Sequence, residues 1–185
     1  MNIGVWLGWC AAVAVAVLVA MLILRRRRGA AREDAEVASR PPALRTATLA
    51  YMEEQFRIRA PIPLVARVDR AYRGSDGELV LVELKTRWND RVYATDVIQL
   101  SVQRVALEGQ TRQRVAATGF VTVQLPKGTG APRSHRVELM DAKKVIALHR
   151  RREDIISGRI TPRYADSRSA CAGCAFRTRC DRPHA

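Results

Sequence analysis

Two carboxylates, Asp69 and Glu83, and one ammonium, Lys85, stand at telling positions in the stretch Val65–Lys85, VARVDRAYRGSDGELVLVELK. Alternating apolar residues run into a Gly-Ser-Asp-Gly turn, Gly74–Gly77, and resume beyond it, which is the pattern of a β-hairpin. Folding about Asp76 sets Asp69 opposite Glu83, and at period two Lys85 lies on the face of Glu83. Carboxylates directly across a hairpin repel. A divalent cation relieves that repulsion, because hard cations such as Mg²⁺ take one or two carboxylates and keep several waters. The same spacing also suits a cross-strand ion pair in an ordinary sheet, with Lys85 neutralising the acids. Lysine is scarce, however: four residues against 28 arginines. Its use at 85 favours a compact ammonium that can approach a water closely.

An Asp followed by Glu-x-Lys on the next strand resembles the core of the PD-(D/E)xK nucleases. The resemblance implies an α/β fold of the restriction-endonuclease type, with a mixed central sheet flanked by helices. It also implies that Asp69 and Glu83 hold Mg²⁺ or Mn²⁺ with the backbone carbonyl of Leu84, while Lys85 orients or activates the attacking water. The RecB-like branch carries a Gln-hydrophobic-x-x-Tyr motif on the helix after the hairpin. Gln99-Leu100 matches its first half, and Gln103 stands where the Tyr is expected. Gln99 therefore joins the catalytic set.

The elements that must position these groups follow from periodicity. Leu44–Ile58 has helical spacing through Leu44, Leu49, Met52 and Phe56, so a helix is expected there, with Glu53 and Glu54 as solvated residues on it. Thr95 is placed to cap a second helix running to about Glu108, with Gly109 as its stop. Arg114–Gln124 and Arg133–Met140 alternate as strands, and Asp141 opens a last helix through about Ser157.

The tail holds Cys171-Ala-Gly-Cys174-Ala-Phe-Arg-Thr-Arg-Cys180. Three cysteines so close together suit metal ligation by soft thiolates, as a 4Fe–4S cluster or as zinc with His184 as a candidate fourth ligand. This pattern is similar to the C-terminal motif of iron–sulfur RecB-like nucleases, including CRISPR-associated exonucleases. The fourth Cys that such proteins carry ahead of the core has no counterpart, since Cys10 lies in the apolar N-terminal stretch.

That stretch, Ile3–Leu24, runs 22 residues without a charge, about 33 Å as a helix, against a hydrocarbon core of roughly 30 Å. Arg25–Arg28 close it, and Trp6 and Trp9 lie near its other end. The positive-inside rule then predicts a single-pass anchor in the inner, cytoplasmic membrane with the remainder cytoplasmic. The expected organisation is an anchor over residues 1–28, a linker over 29–43 and a nuclease domain over 44–182, with the cysteine motif at 168–182. Formal charge is +14, and +10 without Arg25–Arg28. Such a surplus suits a polyanion: nucleic acid, with DNA expected from the resemblance, or anionic lipid beside the anchor. The alternatives to a nuclease are a catalytically weak nucleic-acid-binding module of the same fold, or a membrane-tethered metal-binding scaffold.

Overall fold

The hairpin forms as its alternation demands. Strands β2 (Leu64–Arg73) and β3 (Leu79–Thr86) pair antiparallel, from Arg73 opposite Leu79 to Arg70 opposite Val82. Gly77 supplies the left-handed conformation the turn needs, with φ 81°. The computed structural model describes residues 17–24, 29, 33–126, 130–164 and 168–181. Its sheet has five strands in the order β1-β2-β3-β4-β5. The flanking strands are β1 (Thr48–Ile58), β4 (Thr118–Gln124) and β5 (Arg133–Glu138). All neighbours are antiparallel except β3 and β4, whose parallel pairing requires a crossover. Helix α1 (Ala94–Thr111) makes that crossover and packs Leu100, Ala106 and Leu107 on a core with Phe56, Val68, Leu79, Leu81, Val121 and Val123. Gly119 lets β4 come close: a Cβ there would meet the Leu81 carbonyl oxygen at 2.9 Å. Helix α2 (Ala142–Ile156) starts where expected, its Asp141 cap accepting the Lys144 N–H at 2.8 Å, and Val145 packs with Ile58 and Val105. A short helix α3 (Arg168–Ala172) leads into the cysteine tail.

Several expectations are corrected. The helix expected over Leu44–Ile58 is instead a 3₁₀ turn, Pro42–Leu44, followed by strand β1. Thr, Tyr, Phe and Ile in this stretch favour a strand. A register shift between Leu49 and Tyr51, and a left-handed Glu53 at φ 56°, break the two-residue alternation that would have identified it. The cap of α1 is Tyr93 rather than Thr95, because the Asp96 carboxylate accepts the Tyr93 N–H at 2.9 Å. Gly109 does not stop that helix, which ends at a left-handed Arg112. A Cβ at Gly109 would lie 2.7 Å from Ile58 Cγ2, so glycine there permits close packing of α1 on β1. Among the described residues no helix is long and apolar enough to cross a membrane. Most of the span expected at 3–24 lies outside them; residues 17–24 are helical and exposed.

Residues 29–43, read as a tether, carry a buried anchor. Residues 33–38 are helical, and Glu36 is 3% exposed. Its carboxylate accepts Arg40 Nε at 2.8 Å and Nη2 at 2.7 Å together with the Tyr72 hydroxyl, and its carbonyl accepts Arg70 Nη1 at 3.1 Å. The Arg40 partnership holds the Glu36 carboxyl below the usual carboxylate range, while burial pushes the Tyr72 hydroxyl up to about 12, so that it remains a donor. This polar docking covers the face of the sheet opposite α1, where Leu44, Tyr72 and Val82 cluster. Glu36→Ala strands Arg40, Arg70 and Tyr72 without their acceptor and should cost about 3 kcal/mol in urea unfolding, by the scale of broken buried pairs. A loss within 0.5 kcal/mol, the range of ordinary surface changes, would mean the segment is not docked in solution. Because the Glu36 pKa is depressed, this contribution is present at neutral pH and is lost as pH falls through its folded value.

Candidate active site

The β2–β3 ladder ends at Arg70 and Val82, and the candidate site begins there. Continued one step, the register sets Asp69 opposite Glu83. Beyond it the strands part, and the Leu84 N–H donates to Asp69 Oδ2 at 2.8 Å in place of a backbone partner. The Leu84 carbonyl leaves the strand on the same edge as its N–H, toward β2. Asp69, Glu83 and Leu84 are therefore brought to one gap between two strands.

Glu83 is 2% exposed and meets donors on both oxygens. Lys85 Nζ donates to Oε1 at 2.7 Å, Gln99 Nε2 to Oε1 at 2.6 Å and Gln103 Nε2 to Oε2 at 2.7 Å. Gln99 also accepts from Lys85 Nζ at 2.8 Å, so Lys85, Gln99 and Glu83 close a triangle. Of the four expected catalytic residues, Glu83, Lys85 and Gln99 thus form one hydrogen-bonded cluster, and Asp69 stands beside it, held by the Leu84 N–H.

Two further residues outside the expected set bear on it, Gln103 by hydrogen bond and Glu53 by charge. Gln103, 1% exposed, donates through the same nitrogen to the Arg67 carbonyl at 2.9 Å, and so bridges the parting strands. Two acceptors facing one amide fix its orientation, which leaves Gln103 Oε1 buried without a partner. In the sequence Gln103 was visible as the residue at the motif's Tyr position, on one helix face with Gln99, but not as a partner of Glu83. Glu53 lies on a strand rather than a helix. Flanked by the pairs Met52–Arg70 and Glu54–Val68, it stands across from Asp69 and forms an ion pair with Arg67 at 2.5 Å. Nothing in the sequence announced its left-handed backbone. Glu54 is exposed.

Burial pushes both acids up. For Glu83 the Asp69 charge adds to the shift, while the bonds from Lys85 and Gln103 oppose it. For Asp69 the Leu84 N–H opposes it and the Glu53 charge adds to it. A divalent cation suits this arrangement. The donors are all oxygen, as Mg²⁺ and Mn²⁺ prefer, and the Asp69 charge is close enough to add to the proton affinity of Glu83. Glu83 uses three of about four acceptor positions, leaving one.

The cysteines are placed otherwise. Cys171, Cys174 and Cys180 are free thiols, with a turn closed by the Cys174 N–H on the Cys171 carbonyl at 3.2 Å. Among the described residues no three His, Cys, Asp or Glu side chains are gathered to hold a metal. His184 and Cys10 lie outside the described residues.

The family model for the PD-(D/E)XK nuclease superfamily matches residues 8–181. No curated protein matches. The crystal structure of SSO0001 matches at 19% identity and a TM-score of 0.47, covering 75% of this chain and 60% of that one. This chain thus spans about three fifths of that protein's length, and a likeness so loose says nothing about substrate.

A carboxyl with a raised folded pKa binds its proton more tightly in the folded state. Its stabilising contribution is complete below the unfolded pKa and is lost as pH rises through the folded one. In EDTA, thermal stability should therefore decline as pH rises out of the ordinary carboxylate range. Millimolar Mg²⁺ or the Glu83→Gln substitution should remove most of that decline. A decline identical in Glu83→Gln would locate its source elsewhere.

Proposed function

The chain belongs to the PD-(D/E)XK nuclease superfamily, and on that premise we propose that it is a membrane-anchored, RecB-like, metal-dependent nuclease that hydrolyses phosphodiester bonds in DNA. The observation that carries the reading is the pairing of a buried, triply bonded Glu83 with Asp69 at the gap where β2 leaves β3. Asp69, Glu83 and the Leu84 carbonyl would hold Mg²⁺ or Mn²⁺. When bound, such a cation supplies Lewis acidity to a phosphoryl oxygen and lowers the pKa of a water.

The chain's own residues do the positioning. Lys85 bonds the buried Glu83 while its own side chain stays 26% exposed. Held on two sides by Glu83 and Gln99, its ammonium can orient a water or meet charge developing on the phosphate. Gln103 fixes the Glu83 carboxylate and the Arg67 carbonyl together, so that the gap keeps its width. The RecB-like assignment rests on Gln99 beside Lys85 and on the tail spacing. Anchoring is supported by the uncharged Ile3–Leu24, the Arg25–Arg28 stop, and exposed Leu18, Leu22 and Leu24. The charge of +14 favours a polyanionic substrate. The tail thiols suit a 4Fe–4S cluster or zinc by type, but the described residues gather no complete ligand set, and no step is assigned to one.

The test is cleavage of labelled DNA by the full-length protein in detergent with Mg²⁺ or Mn²⁺. Asp69→Ala, Glu83→Ala and Lys85→Ala should each lower kcat by about 100-fold or more while leaving DNA affinity nearly unchanged. Equal cleavage by wild type and Glu83→Ala would contradict the proposal. Binding without cleavage in the wild type would make the chain a catalytically weak binding module.

A further inference from the structure

The loop from Arg87 to Tyr93 follows the end of β3, one residue beyond Lys85, and is tied down by several contacts. Arg87 forms a salt bridge to the buried Asp96 at 2.8 Å and lies 4.6 Å from the Tyr93 ring centroid. Arg91 lies 4.4 Å from the same ring. Asp90 ties the loop to β5, accepting Arg133 Nη1 at 3.0 Å and meeting His135 Nε2 at 2.6 Å. The Arg87 N–H donates to the Gln124 carbonyl at the end of β4. These contacts hold the loop at Arg87, Asp90, Arg91 and Tyr93, yet the residue it presents, Trp88, is 68% exposed.

A large aromatic ring on a fixed loop, three residues from Lys85, is costly to leave in water. Trp88 faces a cleft of about 400 Å³ that Val123 and Arg133 also line. Val123 is the β4 partner of Lys85, so the cleft adjoins the candidate active site. Arg133 is 76% exposed at its side chain, and its charge suits a phosphate.

Resting on the nuclease reading, we propose that Trp88 is a stacking platform for an unpaired base adjoining the scissile phosphate, and that the substrate is single-stranded nucleic acid or a frayed end. Duplex stacks its own bases and offers no free face, whereas an unpaired base has one; base–aromatic stacking is the general device for gripping single strands. Arg133 and Arg91 would follow the backbone on either side.

The experiment is oligonucleotide binding by the full-length chain in EDTA, so that no cleavage intervenes. With Trp6→Phe and Trp9→Phe introduced, Trp88 is the sole indole, and its fluorescence should be quenched by a single-stranded oligonucleotide but not by the matching blunt duplex. Trp88→Ala should weaken single-strand affinity by about fivefold to 150-fold, the span of one stacked base, and change duplex affinity by less than about twofold. Trp88→Phe should keep most of the affinity. Equal effects on both substrates, no effect on either, or no binding at all would overturn the proposal. So would quenching by spin-labelled anionic vesicles in place of the oligonucleotide, which would assign Trp88 to a membrane surface. Trp88-dependent binding without Mg²⁺-dependent cleavage would leave the platform standing and defeat the nuclease reading. Cleavage with Trp88→Ala binding like wild type would do the reverse.

Discussion

A carboxylate taken out of water must be given donors or a cation, and Glu83 is the deepest such charge in the site. Much of the local architecture answers that requirement. Helix α1 lies over β3 and contributes Gln99 and Gln103, four residues apart on one face. Lys85, two residues along the strand, supplies the third donor and the opposite charge. Helix α1 is also the crossover that permits β3 and β4 to pair in parallel. One element thus closes the topology, fills the core and satisfies the buried acid. A half-satisfied polar network would be worse than an apolar core, so these roles are coupled.

The second constraint is the parting of β2 from β3. An ordinary ladder would pair Leu84 with a backbone carbonyl of β2. Here the Asp69 carboxylate takes that N–H, which holds the acid at the fork and turns the Leu84 carbonyl edge toward it. Gln103 spans the fork from the other side by donating to the Arg67 carbonyl. Glu53 adds a negative charge opposite Asp69, on a backbone conformation that non-glycine residues adopt only when their surroundings enforce it. Burial raises the proton affinity of both acids, the Glu53 charge adds to it for Asp69 and the Asp69 charge for Glu83, and a divalent cation would relieve it.

Much of this was legible because the hairpin is regular. A Gly-Ser-Asp-Gly turn with alternating flanks permits only one register that buries the right face, and that register brings Asp69 and Glu83 together. The strand β1 was not legible. Its bulge and its left-handed Glu53 destroy the period of two, and Leu44, Leu49, Met52 and Phe56 happen to fall at helical spacing. Residues 33–38 looked like a tether because they dock through Glu36 and its polar partners, with no apolar stripe to betray contact. Gln103 was visible as a residue but not as a buried one, since depth depends on how closely Gly109 lets α1 approach β1. Trp88 carried no periodic signal, because its significance lies in the rigidity of the loop around it.

On the nuclease reading, Asp69, Glu83 and the Leu84 carbonyl share one divalent cation. Anomalous diffraction from crystals of the protein grown with Mn²⁺ measures this directly. One strong peak is expected within about 2.0–2.6 Å of an oxygen from each of the three, the range for hard cations on oxygen ligands. Gln103 should still hold Glu83 Oε2 and the Arg67 carbonyl. A Mn²⁺ peak elsewhere, or none at the fork while Lys85 and both glutamines keep Glu83 as they do now, would contradict that reading.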